Sequence, residues 1–345
     1  MENHSFVFFE LINTNAVRIN QRLDKKMEKE KEKDRVPLIT EIQRYCISDG
    51  PGMRTLIFLK GCSLDCPWCH NPECKSPEID IYYHEDKCQK CGKCIEICPQ
   101  RAISWLSSKK EAILRDREKC SKCLKCVESC PFKALEKVGQ ALAFDRIIDE
   151  ALRDRAFYET SGGGITLSGG DPLFFPEYSL KLLKKFKAEM IHTAVETSGS
   201  YKWEILEEIA EYTDLFLYDI KCMDPTMHKR FIGVDNKLIL NNLRKLSAVK
   251  ANIRIRVPVI PRFNNNKENF ELLVDYLQSL ENPVLAVDLL PFHNSAEKKY
   301  IQLGLNYAYK GEPFMEKKEV EWIKDFLEKN NITTTIGGII GPEEV

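Results

Sequence analysis

The sequence predicts an α/β fold in which a parallel sheet forms a complete or partial barrel, interrupted by a cysteine-rich insert. From residue 38 onward, strand-like segments alternate with helix-like segments, which is typical of parallel strands joined by crossover helices. Residues 75–140 break this alternation and contain eight cysteines, too many for a barrel unit. We therefore expect this insert to lie between the first and second strand–helix units.

Hydrophobic spacing predicts the individual elements. LITEIQR and RTLIFLKG are predicted strands on either side of a DGPGMR turn, and FDRIIDEALRDRAFYE, after the insert, has helical spacing. The later predicted strands are GITLSGGDP, IHTAVETSG, DLFLYDIK, NIRIRVPVI, LAVDLLPF and TTTIGG. The predicted helices between them cover residues 176–189, 202–212, 236–248, 267–281 and 316–330.

Polar and glycine-rich turns follow several of these predicted strands. The turns SGGDP, ETSG, DIK and PFHN all fall where a strand ends. Ligands of parallel α/β folds gather at the carboxyl ends of the strands. This shared placement predicts one common site, although a lone glycine pair usually marks only a turn and a lone histidine is usually structural. Glu196, taken by itself, could be a carboxylate at the edge of the core.

The composition argues against several classes of function. The 345 residues carry a net charge of -1, so no general attraction to nucleic acid is expected. Apolar runs such as LIFL and AVDLL are far shorter than the ~20 residues that span a bilayer. The N-terminal patch FVFFELI has neither a basic segment before it nor a small-residue cleavage site after it, so no secretory signal is predicted.

Most of the fourteen cysteines fall in closely spaced runs. In a long chain without a predicted signal peptide, such runs favour metal binding over disulfides. We expect a cytoplasmic, oxygen-sensitive protein of anaerobic metabolism. Cys46, Cys74 and Cys222 match no run and are expected to be ordinary small residues.

Residues 1–35 form a charged extension that differs from the rest of the chain. The stretch RLDKKMEKEKEKDR mixes both signs of charge and has no apolar stripe, which predicts a solvated helix or disorder. We expect the barrel to occupy residues 36–74 and 141–345, and the insert to occupy residues 75–140.

A cysteine triplet is the most informative feature of the sequence. Cys62, Cys66 and Cys69 form CxxxCxxC within GCSLDCPWCHNPE. Three thiolates at this spacing can hold three irons of a 4Fe–4S cube. The fourth iron then lacks a protein ligand and is open to a small molecule, so the triplet predicts a reactive centre.

The insert contains the bacterial ferredoxin run CxxCxxCxxxCP twice. In this run the fourth cysteine ligates the other cluster, which predicts a ferredoxin-like domain with two 4Fe–4S clusters. Zinc is the alternative, but zinc sites usually use two pairs of ligands. The predicted ligands are Cys88, Cys91, Cys94 and Cys130 for one cluster and Cys120, Cys123, Cys126 and Cys98 for the other. The clusters could relay electrons to the open cluster, or they could be structural or a docking platform.

These motifs together resemble the glycyl radical enzyme activating enzymes of the radical S-adenosylmethionine superfamily. DGPGMRT, GCSLDCPWCHNPE, the double ferredoxin run, SGGDP, DIK, IRVPVIPRFN and PFH occur in the family's order between residues 38 and 341. The resemblance implies a partial (β/α)6 TIM-like barrel, three 4Fe–4S clusters and S-adenosyl-L-methionine. It also implies reductive cleavage to a 5′-deoxyadenosyl radical, which takes a hydrogen from a backbone glycine of a partner glycyl radical enzyme.

The resemblance also assigns roles to individual residues. Cys62, Cys66 and Cys69 match the catalytic cluster's ligands. Asp49 and Arg256 are expected to contact the incoming glycine loop. The residues expected to contact S-adenosylmethionine are Trp68, Cys69, His70, Gly169, Gly170, Asp171, Asp219, Ile220, Lys221 and His293. SGGDP departs from the GGEP of many members, since Asp171 is one methylene shorter than glutamate.

The match is closest to activating enzymes of benzylsuccinate synthase type, on ITEIQRYCISDGPG, FYETSGGGITLSGGDPLFFP and TIGGII. The activating enzymes of glycerol dehydratase, choline lyase and hydroxyphenylacetate decarboxylase share the double-cluster insert. Two further alternatives are a radical enzyme that acts on a small molecule and a plain electron-transfer protein. The expected partners are a glycyl radical enzyme and a reduced flavodoxin or ferredoxin, with no nucleic acid or membrane, and the chain is expected to be a monomer.

Overall fold

The computed structural model describes residues 36–338, and the predictions for residues 1–35 lie outside this range. Its main feature is one eight-stranded sheet, in the order β1-β2-β7-β8-β9-β10-β11-β12. Strands β3 to β6 belong to the insert and form two separate small sheets. β1 pairs antiparallel with β2, and all the later neighbours are parallel. The strands of this sheet are β1 (Ile39–Cys46), β2 (Arg54–Leu59), β7 (Gly164–Gly169), β8 (His192–Thr197), β9 (Leu215–Asp219), β10 (Ile253–Val259), β11 (Ala286–Pro291) and β12 (Thr334–Ile336).

This arrangement confirms the predicted α/β class with a mostly parallel sheet, and it fits a partial barrel. In the described chain the edge strands β1 and β12 do not pair with each other, so the sheet stays open on that side. The parallel strands at the centre of the sheet are buried on both faces: β7 exposes almost nothing, and Ile57, Leu167 and Phe216 have no accessible surface, whereas the edge strand β1 exposes every second residue from Glu41 to Tyr45. This is the expected burial of a parallel sheet covered by helices.

Helices follow the parallel strands and pack on the outside of the sheet. Several begin or end at residues that favour a terminus: α5 starts with Pro176, and the Asp224 carboxylate caps α7. These helices are α3 (Phe144–Leu152), α4 (Arg155–Ser161), α5 (Pro176–Ala188), α6 (Trp203–Ala210), α7 (Pro225–Ile232), α8 (Lys237–Ala248), α9 (Lys267–Gln278), α10 (Glu297–Leu303) and α11 (Glu321–Lys329). The sequence patterns did not indicate α7 or α10.

The predicted helix over FDRIIDEALRDRAFYE is two helices, because Asp154 interrupts it. Asp154 lies between α3 and α4 with a nearly fully buried side chain. Its carboxylate accepts hydrogen bonds from Arg44 on β1 and Thr55 on β2. These contacts anchor the chain to the sheet where it re-enters the barrel.

The insert has its own short elements. β3 (Asp80–Tyr83) pairs antiparallel with β6 (Leu135–Val138), and β4 (Ile103–Trp105) pairs with β5 (Ile113–Arg115). Two four-residue helices, α1 (Lys93–Glu96) and α2 (Lys125–Glu128), lie within the two cysteine runs. A small apolar cluster of Ile81, Ile103, Ile113 and Leu135 packs among the cysteines. In residues 36–338, no helix is long and apolar enough to cross a membrane.

Candidate active site

A cavity of about 520 Å³ lies within the barrel and opens at the carboxyl ends of the strands. It collects residues that are far apart in the sequence, from Gln43 of β1 to Gly337 after β12. The sequence-predicted residues that line it are Asp49, Cys62, Cys66, Trp68, Cys69, His70, Gly169, Gly170, Asp171, Asp219, Lys221, Arg256 and His293. Of the predicted residues of this site, Ile220 is absent from the lining and is buried in the main hydrophobic core.

The triplet cysteines sit in the loop that follows β2, and all three thiols face this cavity. The loop is held by backbone hydrogen bonds from Gly61 N to Cys74 O at 2.7 Å and from Cys69 N to Cys66 O at 3.2 Å. The Trp68 ring packs on Phe263 with centroids 4.6 Å apart. Burial raises the pKa of the Cys66 thiol to about 11. An unligated thiolate would therefore be unfavourable here, whereas a bound metal centre deprotonates a coordinating thiol.

Gly170 brings the end of β7 against the triplet loop. A Cβ at this position would collide with the carbonyl oxygens of Gly61 and Cys74. The close approach allows Gly170 N to donate to Leu59 O at 2.9 Å and Asp171 N to donate to Gly61 O at 2.8 Å. Glycine is therefore required at position 170 for backbone packing, which the sequence pattern could not distinguish from an approach to a ligand.

Asp171 is almost fully buried, and its carboxylate already accepts four hydrogen bonds from different donors. Leu173 N donates to Oδ1 at 3.1 Å, and Ser198 donates its N and Oγ to Oδ2 at 2.9 and 2.8 Å. Thr197 Oγ1 donates to Oδ1 at 2.9 Å. Burial raises the pKa of Asp171 to about 6. The Asp171 carboxylate therefore holds the ETSG turn at the edge of the cavity. Contact between Asp171 and S-adenosylmethionine stays a prediction.

Lys221 supplies a buried positive charge beside the triplet. Its ammonium lies 3.1 Å from Asp219 Oδ2. Burial opposes the charged form, but Asp219 and then Cys66 outweigh it and raise the pKa of Lys221. The lysine therefore stays protonated and can offset negative charge at the thiolates or bind a carboxylate.

A second group of charged side chains also lines the cavity. Arg256 Nη1 donates to Glu196 Oε1 at 2.9 Å and to Asp49 Oδ1 at 3.1 Å. Ser168 donates to the other oxygen of Glu196. In the described residues Arg256 Nε is buried without a hydrogen-bond partner. Burial, partly opposed by Arg256, raises the pKa of Asp49.

Glu196 is therefore part of the site and not a core-edge carboxylate. The sequence signal for it is its position in ETSG at the end of a predicted strand, the same signal that identified the other turns. Sequence reasoning gave no role to Ser168 or Lys75, which also line the cavity. Lys75 Nζ lies over the Tyr300 ring, 5.9 Å from its centroid. Burial raises the pKa of Cys69, and the positive charge of Lys75 partly opposes this rise.

His70 and His293 pack ring to ring and line the cavity. Their centroids are 3.9 Å apart, and His70 Nε2 lies 3.1 Å from His293 O. Burial, then the neighbouring His293, lowers the pKa of His70 to about 4. Both rings are thus neutral near pH 7 and offer a flat surface for another aromatic ring.

The insert gathers its eight cysteines around two small cavities. One is lined by Cys88, Cys91, Cys94 and Cys130, and the other by Cys98, Cys120, Cys123 and Cys126. These are the two predicted sets, with each run's last cysteine crossing to the other cavity. Both crossing sulfurs accept a backbone N–H, from Ala102 N at 3.2 Å and Ala134 N at 3.3 Å. Within residues 36–338, no three His, Cys, Asp or Glu side chains converge closely enough to hold a single metal ion.

Three protein-family models match this chain. The Radical SAM superfamily model matches residues 128–277, the 4Fe-4S dicluster domain model matches residues 87–134, and the 4Fe-4S single cluster domain model matches residues 48–106. The dicluster match therefore includes both cysteine runs of the insert, and the single cluster match includes the triplet and the first run.

Three curated relatives are similar over nearly their whole length. The benzylsuccinate synthase activating enzyme of Thauera aromatica is 42% identical over 89% of this chain and 94% of its own. The choline trimethylamine-lyase activating enzyme of Oleidesulfovibrio alaskensis is 39% identical over 88% of this chain and 98% of its own. The trans-4-hydroxy-L-proline dehydratase activating enzyme of Clostridioides difficile is 42% identical over 88% of this chain and 99% of its own.

Proposed function

This chain belongs to the glycyl radical enzyme activating enzymes of the radical S-adenosylmethionine superfamily, and from that premise we propose how its residues work. It is a radical enzyme with iron–sulfur and S-adenosylmethionine chemistry, and its substrate is another protein. The observation that carries the proposal is the shared cavity, with the cysteine triplet on one wall and the Asp49–Arg256–Glu196 group on another.

The residues present fit a cluster with one open iron. Three cysteines of one loop, of which Cys66 is buried and the other two are half-buried, line a cavity large enough to admit more than a metal ion. A 4Fe–4S cluster that binds S-adenosylmethionine supplies, when reduced, the electron that cleaves the C5′–S bond to methionine and a 5′-deoxyadenosyl radical. Cys62, Cys66 and Cys69 would hold this cluster, and the protonated Lys221 balances the charge of the thiolates.

The surrounding residues would bind and orient S-adenosylmethionine. The neutral His70–His293 pair offers an aromatic surface, and the Trp68 backbone and ring lie beside Cys69. Apolar side chains of β2 and β11, such as Leu56 and Leu290, line the cavity and keep water from the reacting atoms. Exclusion of water prevents side reactions of a reactive intermediate.

The Asp49–Arg256–Glu196 group would position the partner's glycine segment. A backbone segment that enters the barrel presents carbonyl oxygens, and the unpartnered Arg256 Nε is a buried donor that such an oxygen can satisfy. Asp49 and Glu196 fix the guanidinium from the other side. An arginine held by two carboxylates is already oriented, so less entropy is lost when the segment binds.

We further propose three clusters and a barrel of residues 36–74 and 141–345 that carries a ferredoxin-like insert at residues 75–140. The grouping of the eight insert cysteines into two sets of four supports this assignment. A partner of benzylsuccinate synthase type is favoured on the sequence motifs, with glycerol dehydratase, choline lyase and hydroxyphenylacetate decarboxylase types as alternatives. A reduced flavodoxin or ferredoxin as electron donor, a monomeric state and a cytoplasmic location complete the proposal.

The direct test mixes the reduced, reconstituted enzyme with S-adenosylmethionine and candidate glycyl radical enzymes under anoxic conditions. We expect methionine, 5′-deoxyadenosine and a glycine-radical doublet in the EPR spectrum of the cognate partner only. An iron content of about twelve per chain, which is three cubes of about four irons each, would support the cluster count. Turnover of a small molecule, with no doublet in any partner, would instead identify a small-molecule radical enzyme.

A further inference from the structure

Arg54 ends the DGPGMR turn and begins β2, and the proposed function gives it no role. It has no accessible surface and is the largest fully buried side chain of the described residues. Burial lowers its pKa to about 10, so the guanidinium is still charged near pH 7. In residues 36–338 Arg54 forms no ion pair, although buried charges are normally paired. The reason for this buried cation must therefore be sought in its hydrogen bonds.

The guanidinium of Arg54 contacts three separate segments. Arg54 Nη1 donates to Pro51 O of the turn at 3.1 Å, and Nε donates to Thr166 Oγ1 of β7 at 2.7 Å. Nη2 donates to Ile165 O of β7, and it lies 3.3 Å from Nδ1 and 3.4 Å from O of His192 on β8. The guanidinium therefore ties the turn to two neighbouring strands of the sheet.

The Thr166 hydroxyl extends this connection to Asp49. Thr166 Oγ1 donates to Asp49 O at 2.8 Å, and Thr166 has no accessible surface. A hydroxyl has one hydrogen, so the oxygen that accepts from Arg54 Nε directs its own hydrogen to Asp49. The carboxylate of Asp49 in turn accepts from Arg256 Nη1 at 3.1 Å. Hydrogen bonds thus connect Arg54 to Arg256 through Thr166 and Asp49.

Gly50 allows the turn to lie directly against Arg54. Its φ is 120°, a conformation that residues with a side chain rarely adopt, and a Cβ there would lie 3.0 Å from Cδ and Nε of Arg54. Asp49 and Arg256 line the cavity, whereas Arg54 and Thr166 do not. Any effect of Arg54 and Thr166 on a segment bound in the cavity must therefore act through Asp49 and Arg256.

We propose that Arg54 and Thr166 are positioning residues for the partner's glycine segment. They fix the backbone of Asp49, and Asp49 holds Arg256 in the orientation that meets the segment. The inference rests on the role of the Asp49–Arg256–Glu196 group in the proposed function. With Asp49 displaced, Arg256 would keep only its hydrogen bond to Glu196 among the described residues. A displacement of about 1 Å in such a group can cost about 10²-fold in rate.

The test replaces Thr166 by valine, which removes the hydroxyl and keeps the branched shape. Radical transfer is measured from the EPR doublet of benzylsuccinate synthase, a partner of the favoured type, and cleavage from the 5′-deoxyadenosine formed without partner. We expect the ratio of transfer to partner-free cleavage to fall roughly tenfold, because a misplaced Arg256 affects the transfer step. Thr166→Ser keeps a hydroxyl that can both donate and accept, and its ratio should stay within about twofold of the wild type.

A second measurement needs no partner. In the crystal structure of Thr166→Val, we expect the Asp49 carboxylate to have moved beyond hydrogen-bond distance of Arg256, which is about 3.5 Å. In the crystal structure of Thr166→Ser, the contact between Asp49 and Arg256 should remain. This comparison detects the displacement itself, whatever the partner.

Thr193→Val is the matched control. Thr193 lies on β8, next to β7, and it too has no accessible surface. Its hydroxyl donates to Tyr212 O at 2.8 Å and accepts from Asp214 N at 3.2 Å, so valine removes the same kind of buried hydroxyl. In the part of the chain that the structure describes, the Thr193 side chain forms no hydrogen bond with residues 49–54. We therefore expect an unchanged ratio and an unchanged contact between Asp49 and Arg256.

Three results would overturn the proposal: an unchanged ratio in Thr166→Val, an equal fall in Thr193→Val, or an unmoved Asp49 carboxylate in the crystal structure of Thr166→Val. Arg54→Lys replaces Thr166→Val if that variant does not fold, because lysine lacks the planar fork of donors that arginine has. The same fall in the ratio and the same displacement of Asp49 are expected. Failure of the proposed function looks different, since the wild-type enzyme would then give no glycine-radical doublet, while the crystal structures would still show where Asp49 lies.

Discussion

Arg254 and Arg256 lie two residues apart on β10, and each is paired with a carboxylate, buried for Arg254 and half-buried for Arg256, so they form a natural comparison. Arg254 Nε donates to Asp288 Oδ2 at 3.0 Å, and these side chains are only 6% and 3% exposed. Arg256 pairs with Glu196, with side chains 11% and 25% exposed. Arg256 lines the cavity and Arg254 does not. We therefore expect Arg254→Gln to lower stability more than Arg256→Gln does, and Arg256→Gln to lower function more than Arg254→Gln does.

The magnitudes follow from these environments. Arg254→Gln leaves Asp288 buried without a cation and should lower the free energy of unfolding by about 3–5 kcal/mol. Arg256→Gln should cost less, about 1–3 kcal/mol, because water reaches its partners. Arg256→Gln also removes the proposed hydrogen bond from the guanidinium to the partner's glycine segment. A hydrogen bond from a charged donor is worth about 1.5–3 kcal/mol. Its loss should lower the rate of radical transfer about 10- to 100-fold, at about 1.4 kcal/mol per tenfold.

The assay combines three measurements on anoxic protein. Denaturant unfolding gives the stability, the EPR doublet of the partner gives radical transfer per loaded cluster, and 5′-deoxyadenosine formed without partner gives the cleavage step. Arg256→Gln should lose radical transfer but keep most of the partner-free cleavage. The reasoning fails if Arg254→Gln lowers radical transfer per loaded cluster as much as Arg256→Gln does.

Two further outcomes are expected. Cys66→Ala should abolish 5′-deoxyadenosine formation and lower the iron content from about twelve to about eight per chain; cleavage at the normal rate would show that the open cluster is elsewhere. Burial, and next the adjacent Arg54, lowers the pKa of His192 from 6.5 to about 4. The folded protein therefore binds fewer protons than the unfolded chain, and its unfolding free energy should fall by about 1–2 kcal/mol between about pH 7 and about pH 5. Anoxic urea unfolding of His192→Gln should show a flatter pH profile, and an unchanged profile would refute this assignment.

The order of the strands and the cysteine runs could be predicted from the sequence because both are local patterns. Each predicted strand from β7 to β12 was recognisable from its apolar residues and the turn that follows it. The sequence did not indicate that Asp154 would divide one helical pattern into α3 and α4. The helical spacing continues through Asp154, and only the contacts with Arg44 and Thr55 explain the break.

In the candidate site, too, the sequence did not predict features that depend on contacts between distant segments. The strand-end turns predicted one shared site, and Asp171, Glu196, Lys221 and His293 from those turns do line one cavity, since parallel strands bring their carboxyl ends together. Asp49 and Arg256, which only the family resemblance had indicated, line the same cavity. The role of Asp171 could not be predicted, because its four donors come from two separate turns. Glu196 was ambiguous for the same reason, since Arg256 reaches it from another strand.

By itself, the sequence determined the chemistry of this protein: the spacing of the cysteines predicts iron–sulfur clusters, and the order of the motifs identifies the family. Ligand spacing within one loop is a local property and is visible in one dimension. Only the tertiary structure decided which charges face each other. Ion pairs such as Arg256–Glu196 and Lys122–Glu78 join segments that meet only when the chain folds.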